Sequence, residues 1–186
     1  MGRIIYSVAS SLDGFNTDGD GGFAWAMPDE EVIAALTADA ASVSTYLYGR
    51  RMYETMAGWE TDPSWAEGSP ESARFAQVWT RAEKVVFSTT LESVTTSRTR
   101  IERALTVEAV ERAKAEAPGD LTVEGPTLAA NALRLGVVDV VELLICPAVV
   151  GGGTPVFPPG VRLDLRLARE RRFPNGMVQV TYERAA

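Results

Sequence analysis

Leu121-Thr122-Val123-Glu124-Gly125-Pro126-Thr127-Leu128-Ala129-Ala130 is the stretch from which the fold is read. Its first four residues make a short buried strand, Gly125 punctuates it, and Pro126 stands where a first helical residue would. Proline suits that place, because its missing N–H would have no intrahelical partner there. The peptide N–H groups of Thr127 and Leu128 then open a helix without acceptors. The helix dipole adds partial positive charge at the same point, so the turn can hold an anion. Taken alone, the segment reads first as an ordinary strand-to-helix turn with a glycine for tightness. The rest of the chain has to supply the other parts of a nucleotide site.

A length of 186 residues is enough for one single-core domain, residues 1–186. The apolar share of 46% and charged share of 23% are those of a globular protein. A formal net charge of -7 argues against nucleic acid or an anionic membrane as partner, while leaving room for a local basic pocket. No apolar run approaches a membrane span and no basic-then-apolar signal region opens the chain, so cytoplasm is the expected location. The single cysteine, Cys146, reads as a buried thiol with no intrachain disulfide. Histidine is absent altogether. That removes Ser-His-Asp and Cys-His catalysis and nearly every zinc arrangement, so no metal is expected. Proton chemistry is left to carboxylates, tyrosine, lysine or water.

Strands and helices alternate along the chain. Residues 3–9 read as a buried strand, and 10–22 as a loop of glycines and aspartates. Calcium is rejected there, because no glutamate closes a twelve-residue loop in register. Pro28-Asp29-Glu30-Glu31 starts a helix. A second strand, 45–48, ends at Gly49 and feeds the helix Arg50–Met56. Residues 57–70 read as a loop, 71–81 as an amphipathic helix, 84–88 as a third strand and 99–103 as a fourth. The helix over 106–117 carries a Glu108/Arg112 pair at i,i+4. After Pro126–Leu135, stopped by Gly136, come an apolar strand over 137–146 and the Gly151-Gly152-Gly153 loop. Residues 161–172 and 177–183, joined by Pro174-Asn175-Gly176, read as an antiparallel hairpin. The pattern predicts one α/β domain with a mixed, mostly parallel sheet and a C-terminal antiparallel hairpin.

Ligands of such sheets bind at the carboxyl ends of the strands. Four strand ends carry residues of interest: Asp13-Gly14, Gly49-Arg50-Arg51, Ser88-Thr89-Thr90 and Gly125-Pro126-Thr127. Two arginines at a helix start oppose the dipole, and a bound phosphate would remove that conflict. Together the ends offer backbone N–H groups for a diphosphate and arginine with hydroxyls for a terminal monoester, the pattern that NADPH presents. No Gly-x-Gly-x-x-Gly fingerprint is present.

Three segments carry a resemblance: Ser11-Leu12-Asp13-Gly14, Tyr46-Leu47-Tyr48-Gly49-Arg50-Arg51-Met52-Tyr53-Glu54, and Pro147-Ala148-Val149-Val150-Gly151-Gly152-Gly153-Thr154-Pro155-Val156-Phe157. The chain resembles the dihydrofolate-reductase-like superfamily. It is most similar to the branch containing the reductase domain of riboflavin biosynthesis, the C-terminal half of a bifunctional deaminase-reductase. The resemblance implies a three-layer α/β/α sandwich, NADPH as hydride donor and a pyrimidine or pterin substrate. It also implies cofactor-binding roles for Gly49, Arg50, Arg51, Ser88, Thr89, Thr90, Gly125, Pro126, Thr127 and Leu128. The family's turn is commonly Gly-Gly, and Pro126 here costs one N–H. Trp25-Ala26-Met27-Pro28-Asp29-Glu30 resembles the folate-reductase segment in which an acid contacts the pterin. It makes Glu30 or Asp29, with Asp13 as a second candidate, the proton-handling carboxylate, and Trp25 and Tyr53 substrate contacts. A helix start and an Asp-Gly turn explain the same acids structurally. A zinc deaminase needs His/Cys ligands that this chain lacks. Basic residues for a substrate ribose phosphate are not evident near the pocket. The alternatives are dihydrofolate reductase-type activity, or a nucleotide-binding module of this fold without reductase chemistry. The apolar terminal strands lead to an expected homodimer.

Overall fold

Burial alternates residue by residue along the strands, and that alternation builds the layers of the computed structural model, which describes residues 2–185. The first half of the chain forms β1 (Ile4–Ser10), β2 (Phe15–Thr17), a 3-10 turn (Ala24–Ala26), α1 (Glu30–Ala40), β3 (Val43–Gly49), α2 (Arg50–Met56), α3 (Gly58–Thr61), α4 (Pro63–Glu67), α5 (Pro70–Arg81) and β4 (Glu83–Phe87). The second forms β5 (Thr99–Glu102), α6 (Val107–Glu116), β6 (Asp120–Glu124), α7 (Pro126–Leu135), β7 (Val140–Ile145), β8 (Thr154–Pro155), β9 (Leu165–Arg172) and β10 (Val178–Arg184). An eight-stranded sheet runs in the order β5-β4-β3-β6-β1-β7-β10-β9. The strands from β5 to β7 are parallel, and β10 pairs antiparallel with both β7 and β9.

One face of the sheet presents Ile4, Tyr6, Val8, Leu47, Val85, Leu121, Val123 and Val141, and α6 and α7 cover it with Val110, Ala113, Ala129, Ala132 and Leu133. Neighbouring residues in the same strands, Tyr46, Tyr48 and Val86, point the other way and meet Tyr53 of α2 and Trp79 of α5. Val32 of α1 joins Leu144 and Cys146 on that second side. Fold class and layer order therefore follow the sequence reading.

Buried polar groups on the second side are satisfied locally. Trp79 Nε1 donates to Tyr48 Oη at 2.9 Å. The buried Lys84 ammonium lies 4.3 Å over the Trp79 ring and donates to the Trp79 and Thr80 carbonyls at 3.4 and 3.5 Å, where the dipole of α5 ends negative. Burial holds its pKa below the ordinary lysine value despite nearby Glu60.

Several local expectations are corrected. Residues 57–70 hold two short helices rather than a loop. Asp62 caps the second, accepting from Ser64 N, with Pro63 at its first turn. The 10–22 loop contains β2, which pairs with β8. Arg112 reaches Glu102 on β5 at 3.4 Å instead of Glu108, whose carboxylate bonds Thr106. The hairpin turn is a four-residue turn closed by Gly176 N donating to Phe173 O at 3.0 Å, with only Gly176 at positive φ. Proline second and glycine fourth are what a type I turn favours, so Pro174-Asn175-Gly176 joins the strands as read from the sequence. The edge strand β9 is mostly exposed and carries Arg166, Arg169, Arg171 and Arg172. Such an edge is guarded by charge, and the apolar-edge argument for a homodimer loses its basis.

Candidate functional site

Each crossover helix begins where its strand ends, so the starts of α1, α2 and α7 gather at the carboxyl edge of the sheet. On the β4-β3-β6 side, Gly125 ends β6 at φ +86 and is the N-cap of α7, with no side-chain cap. A Cβ there would come 3.2 Å from Met52 Cβ, so glycine serves both the backbone angle and the approach of α2. Ala129 N is the first amide to bond back, to Gly125 O. Thr127 N and Leu128 N precede it at the open end, and Pro126 supplies no donor. Gly49 faces this helix start, since a Cβ on it would meet Leu128 Cβ at 3.7 Å.

Arg50 opens α2 from that glycine. Its Nη1 donates to Thr90 Oγ1 at 3.1 Å and its Nε to Glu54 at 2.7 Å. Arg51 and Thr89 are exposed beside it. Ser88 is turned inward: its Oγ accepts from Thr90 N and Leu91 N at 3.2 and 3.0 Å and shapes the turn. Arg103, not singled out in the sequence, donates to the Ser88 and Leu91 carbonyls at 3.0 and 2.8 Å. Open amides, two guanidinium groups and hydroxyls on adjoining strand ends suit a diphosphate and a phosphate monoester.

The β1-β7 side has another character. Asp13 accepts from Ser11 Oγ at 2.7 Å, Gly151 N at 2.8 Å and Val150 N at 3.1 Å. The Ser11 hydroxyl first, then the two amides, hold its carboxyl below the usual range. Asp13 is thus an ionised clamp joining the β1–β2 loop to the glycine-rich loop, which accounts for this carboxylate structurally. The two loops approach so closely that a Cβ on Gly153 would collide with Thr17 O. Asp29 is the N-cap of α1, accepting from Val32 N at 3.0 Å, and its carboxylate serves the helix. Glu30 is exposed in the first turn. Trp25 lies in the 3-10 turn with its Nε1 buried and unpartnered among the described residues. Tyr53 is 2% exposed, and its hydroxyl is occupied by Thr95 N at 2.8 Å and by Thr96 N and Thr96 Oγ1. In this arrangement the Tyr53 hydroxyl ties α2 to the loop at Thr95 and Thr96.

The sequence reading passed over Glu124. It is the last residue of β6, directly before Gly125, and shares its sheet face with Tyr48, its partner in register. Desolvation, reinforced by Glu142 and opposed by a hydrogen bond from Thr122 Oγ1 at 3.2 Å, raises its pKa to about 7. Burial and nearby Asp39 raise Glu142 in turn, although Arg169 at 3.3 Å counters them. A carboxylic acid at the end of an apolar strand was the available signal. A shallow depression of about 480 Å³ at the opposite edge is lined by Arg3, Lys114, Asp139 and Glu183. Its charges are paired with one another, and it lies far from these strand ends.

Residues 3–179 match the family model of the RibD C-terminal domain. The chain belongs to that family. Over 182 residues it is 29% identical to the uncharacterized protein YyaP of Bacillus subtilis, covering 97% of this chain and 94% of that one. The fold matches a Shewanella sp. PV-4 protein provisionally assigned to riboflavin biosynthesis, with a TM-score of 0.77, 21% identity and full coverage of both chains. It also matches the Thermotoga maritima diaminohydroxyphosphoribosylaminopyrimidine deaminase/5-amino-6-(5-phosphoribosylamino)uracil reductase, with a TM-score of 0.65 and 15% identity, over 99% of this chain and 57% of that one. A pyrimidine reductase-like protein of Corynebacterium diphtheriae gives a TM-score of 0.67 at 14% identity, over 100% and 92% of the two chains. Among the described residues, no helix is long and apolar enough to cross a membrane.

Proposed function

We propose that this RibD C-terminal domain protein is an NADPH-dependent reductase of a pyrimidine- or pterin-type heterocycle. The observation that carries the reading is the meeting of Arg50 and Thr90 at 3.1 Å beside the uncapped Gly125 turn. Segments some forty and seventy-five residues from Arg50 in sequence thereby present one continuous anion-binding edge. NADPH, when bound, supplies a hydride and leaves as NADP⁺.

This chain's own residues orient and protonate. Thr127 N and Leu128 N would hold the diphosphate, while Arg50, Arg51 and Thr90 would hold the 2′-phosphate. The Asp13 clamp fixes the two loops over the β1-β7 end and limits access of water to the reacting centre. Glu30 offers a carboxylate to an N–H/NH₂ edge. Glu124, with its pKa near neutrality, holds a proton that the reduced product needs.

The reading is tested by following NADPH absorbance against a panel containing dihydrofolate, 5-amino-6-(5-phosphoribosylamino)uracil and its dephosphorylated form. Substrate-dependent oxidation of NADPH with at least one member is expected. Turnover with NADH and not NADPH would refute the cofactor assignment. Cofactor binding with no turnover of any heterocycle would leave a nucleotide-binding module as the better description.

A further inference from the structure

The two walls of the β1-β7 end share a property of charge. Between Arg3 and Arg50 there is no lysine or arginine, and there is none between Arg134 and Arg162. Those intervals contain both loops clamped by Asp13, the 3-10 turn and the whole of α1. The first loop and the start of α1 instead carry Asp13, Asp18, Asp20, Asp29, Glu30 and Glu31. None of the six is in an ion pair among the described residues.

Cations elsewhere do not reach this end unengaged. Arg50 and Arg103 serve the turn after β4, Arg169 and Arg171 are drawn to Asp39 and Glu142, and Arg172, level with the end of β7 through Val178, lies 3.7 Å from Glu170. Apolar side chains complete the rim: Leu12 is 64% exposed, Met27 64% and Val149 73%, and Leu12 N bonds Ala148 O, which brings the first and last of them together. The polar groups nearby are uncharged donors or acids. Trp25 Nε1, in the 3-10 turn, is buried and has no partner among the described residues.

A phosphate monoester brought to such a rim would meet carboxylates and hydrocarbon, with no unpaired guanidinium or ammonium among the described residues of the two loops and α1 to receive it. We propose that the substrate is an unphosphorylated, N–H-bearing heterocycle, neutral or cationic, and that this chain does not accept the phosphoribosyl pyrimidine named for the Thermotoga maritima enzyme. The inference rests on the reductase reading for its site and goes beyond it in naming the charge class. Apolar rim residues would cover the planar ring, and Glu30, exposed in the first turn of α1, would take its N–H groups.

The test is a matched pair, 5-amino-6-(5-phosphoribosylamino)uracil and its dephosphorylated form, titrated calorimetrically into the full chain with and without NADP⁺. The dephosphorylated compound is expected to bind at least ~10-fold more tightly, with the gap narrowing as salt screens the carboxylates. Val149→Lys, which places one cation on the rim, is expected to bring the phosphorylated member within ~3-fold of the other. Equal or tighter binding of the phosphorylated member to the natural chain overturns the inference. Failure of both members to bind also overturns it, since neither heterocycle would then fit. Failure of NADP⁺ alone to bind counts against the reductase reading and leaves the charge preference measurable without cofactor.

Discussion

The carboxyl edge of the sheet has two halves of opposite chemistry. The β4-β3-β6 half presents backbone amides, Arg50, Arg51 and threonine hydroxyls. The β1-β7 half presents acids, an apolar rim and loops tied together by the Asp13 carboxylate. A protein of net charge -7 thus concentrates exposed arginines where phosphates are expected and keeps cations out of the loops next door. Glu124 stands at the boundary, one residue before the turn. The contrast shows how a single edge can hold an anionic nucleotide and still select against a second anion.

The contrast can be broken most forcefully on its basic side. Arg50→Ala combined with Arg51→Ala is expected to weaken NADPH ~100-fold, the loss of about 3 kcal/mol that charge-assisted contacts supply, while NADH changes little. Equal losses for both nucleotides, measured by tryptophan fluorescence quenching, would remove the 2′-phosphate role.

Glu124 gives an effect of similar size in stability. Its pKa is raised from an ordinary 4.5 to about 7, so the folded chain binds the extra proton and loses stability as pH rises from 4.5 through 7. The full loss, reached above pH 7, is about 3 kcal/mol. Glu124→Gln should flatten the denaturation free energy across that interval. A variant with an unchanged slope would show that Glu124 is solvated.

Gly125→Ala should cost about 1–3 kcal/mol by forcing φ +86 on a residue with a Cβ and pressing Met52. A thermal midpoint equal to that of the natural chain would mean that the turn is not fixed as described. The smallest effect sharpens the comparison: Pro126→Gly restores one amide to the turn and should tighten NADPH ~5-fold by calorimetry, at some cost in helix stability. Unchanged or weaker binding would place the diphosphate elsewhere.

Much of this was legible because local chemistry and tertiary structure agree. Arg50–Met56 and Pro126–Leu135 follow from a glycine before each and, for the second, from Pro126 and Gly136 at its ends. Legibility failed where tertiary contacts decide. Residues 58–67 look like a loop because Gly58 and Pro63 interrupt them, yet Trp59 and Trp65 meet edge to face at 5.2 Å with Phe75 beside them, and that cluster holds the short helices. β2 and β8 are too short to show periodicity and exist through their pairing. In the site, Arg50, Thr90 and the Gly125 turn were readable as motifs. Asp13 and Asp29 were readable as acids, but their partners at Val150, Gly151 and Val32 could not be read from spacing. The partners of the Tyr53 hydroxyl were hidden for the same reason, since Thr95 and Thr96 approach it from a loop some forty residues on. Glu124 escaped because its desolvation depends on the strands packed around it, with Glu142 adding to it.

The most direct measurement is calorimetric titration of the natural chain with NADPH and with NADH at one salt concentration. The account predicts saturable binding of both, with NADPH at least ~10-fold tighter because Arg50 and Arg51 receive its extra phosphate. Equal affinities, or no binding of NADPH at millimolar concentration, would contradict it.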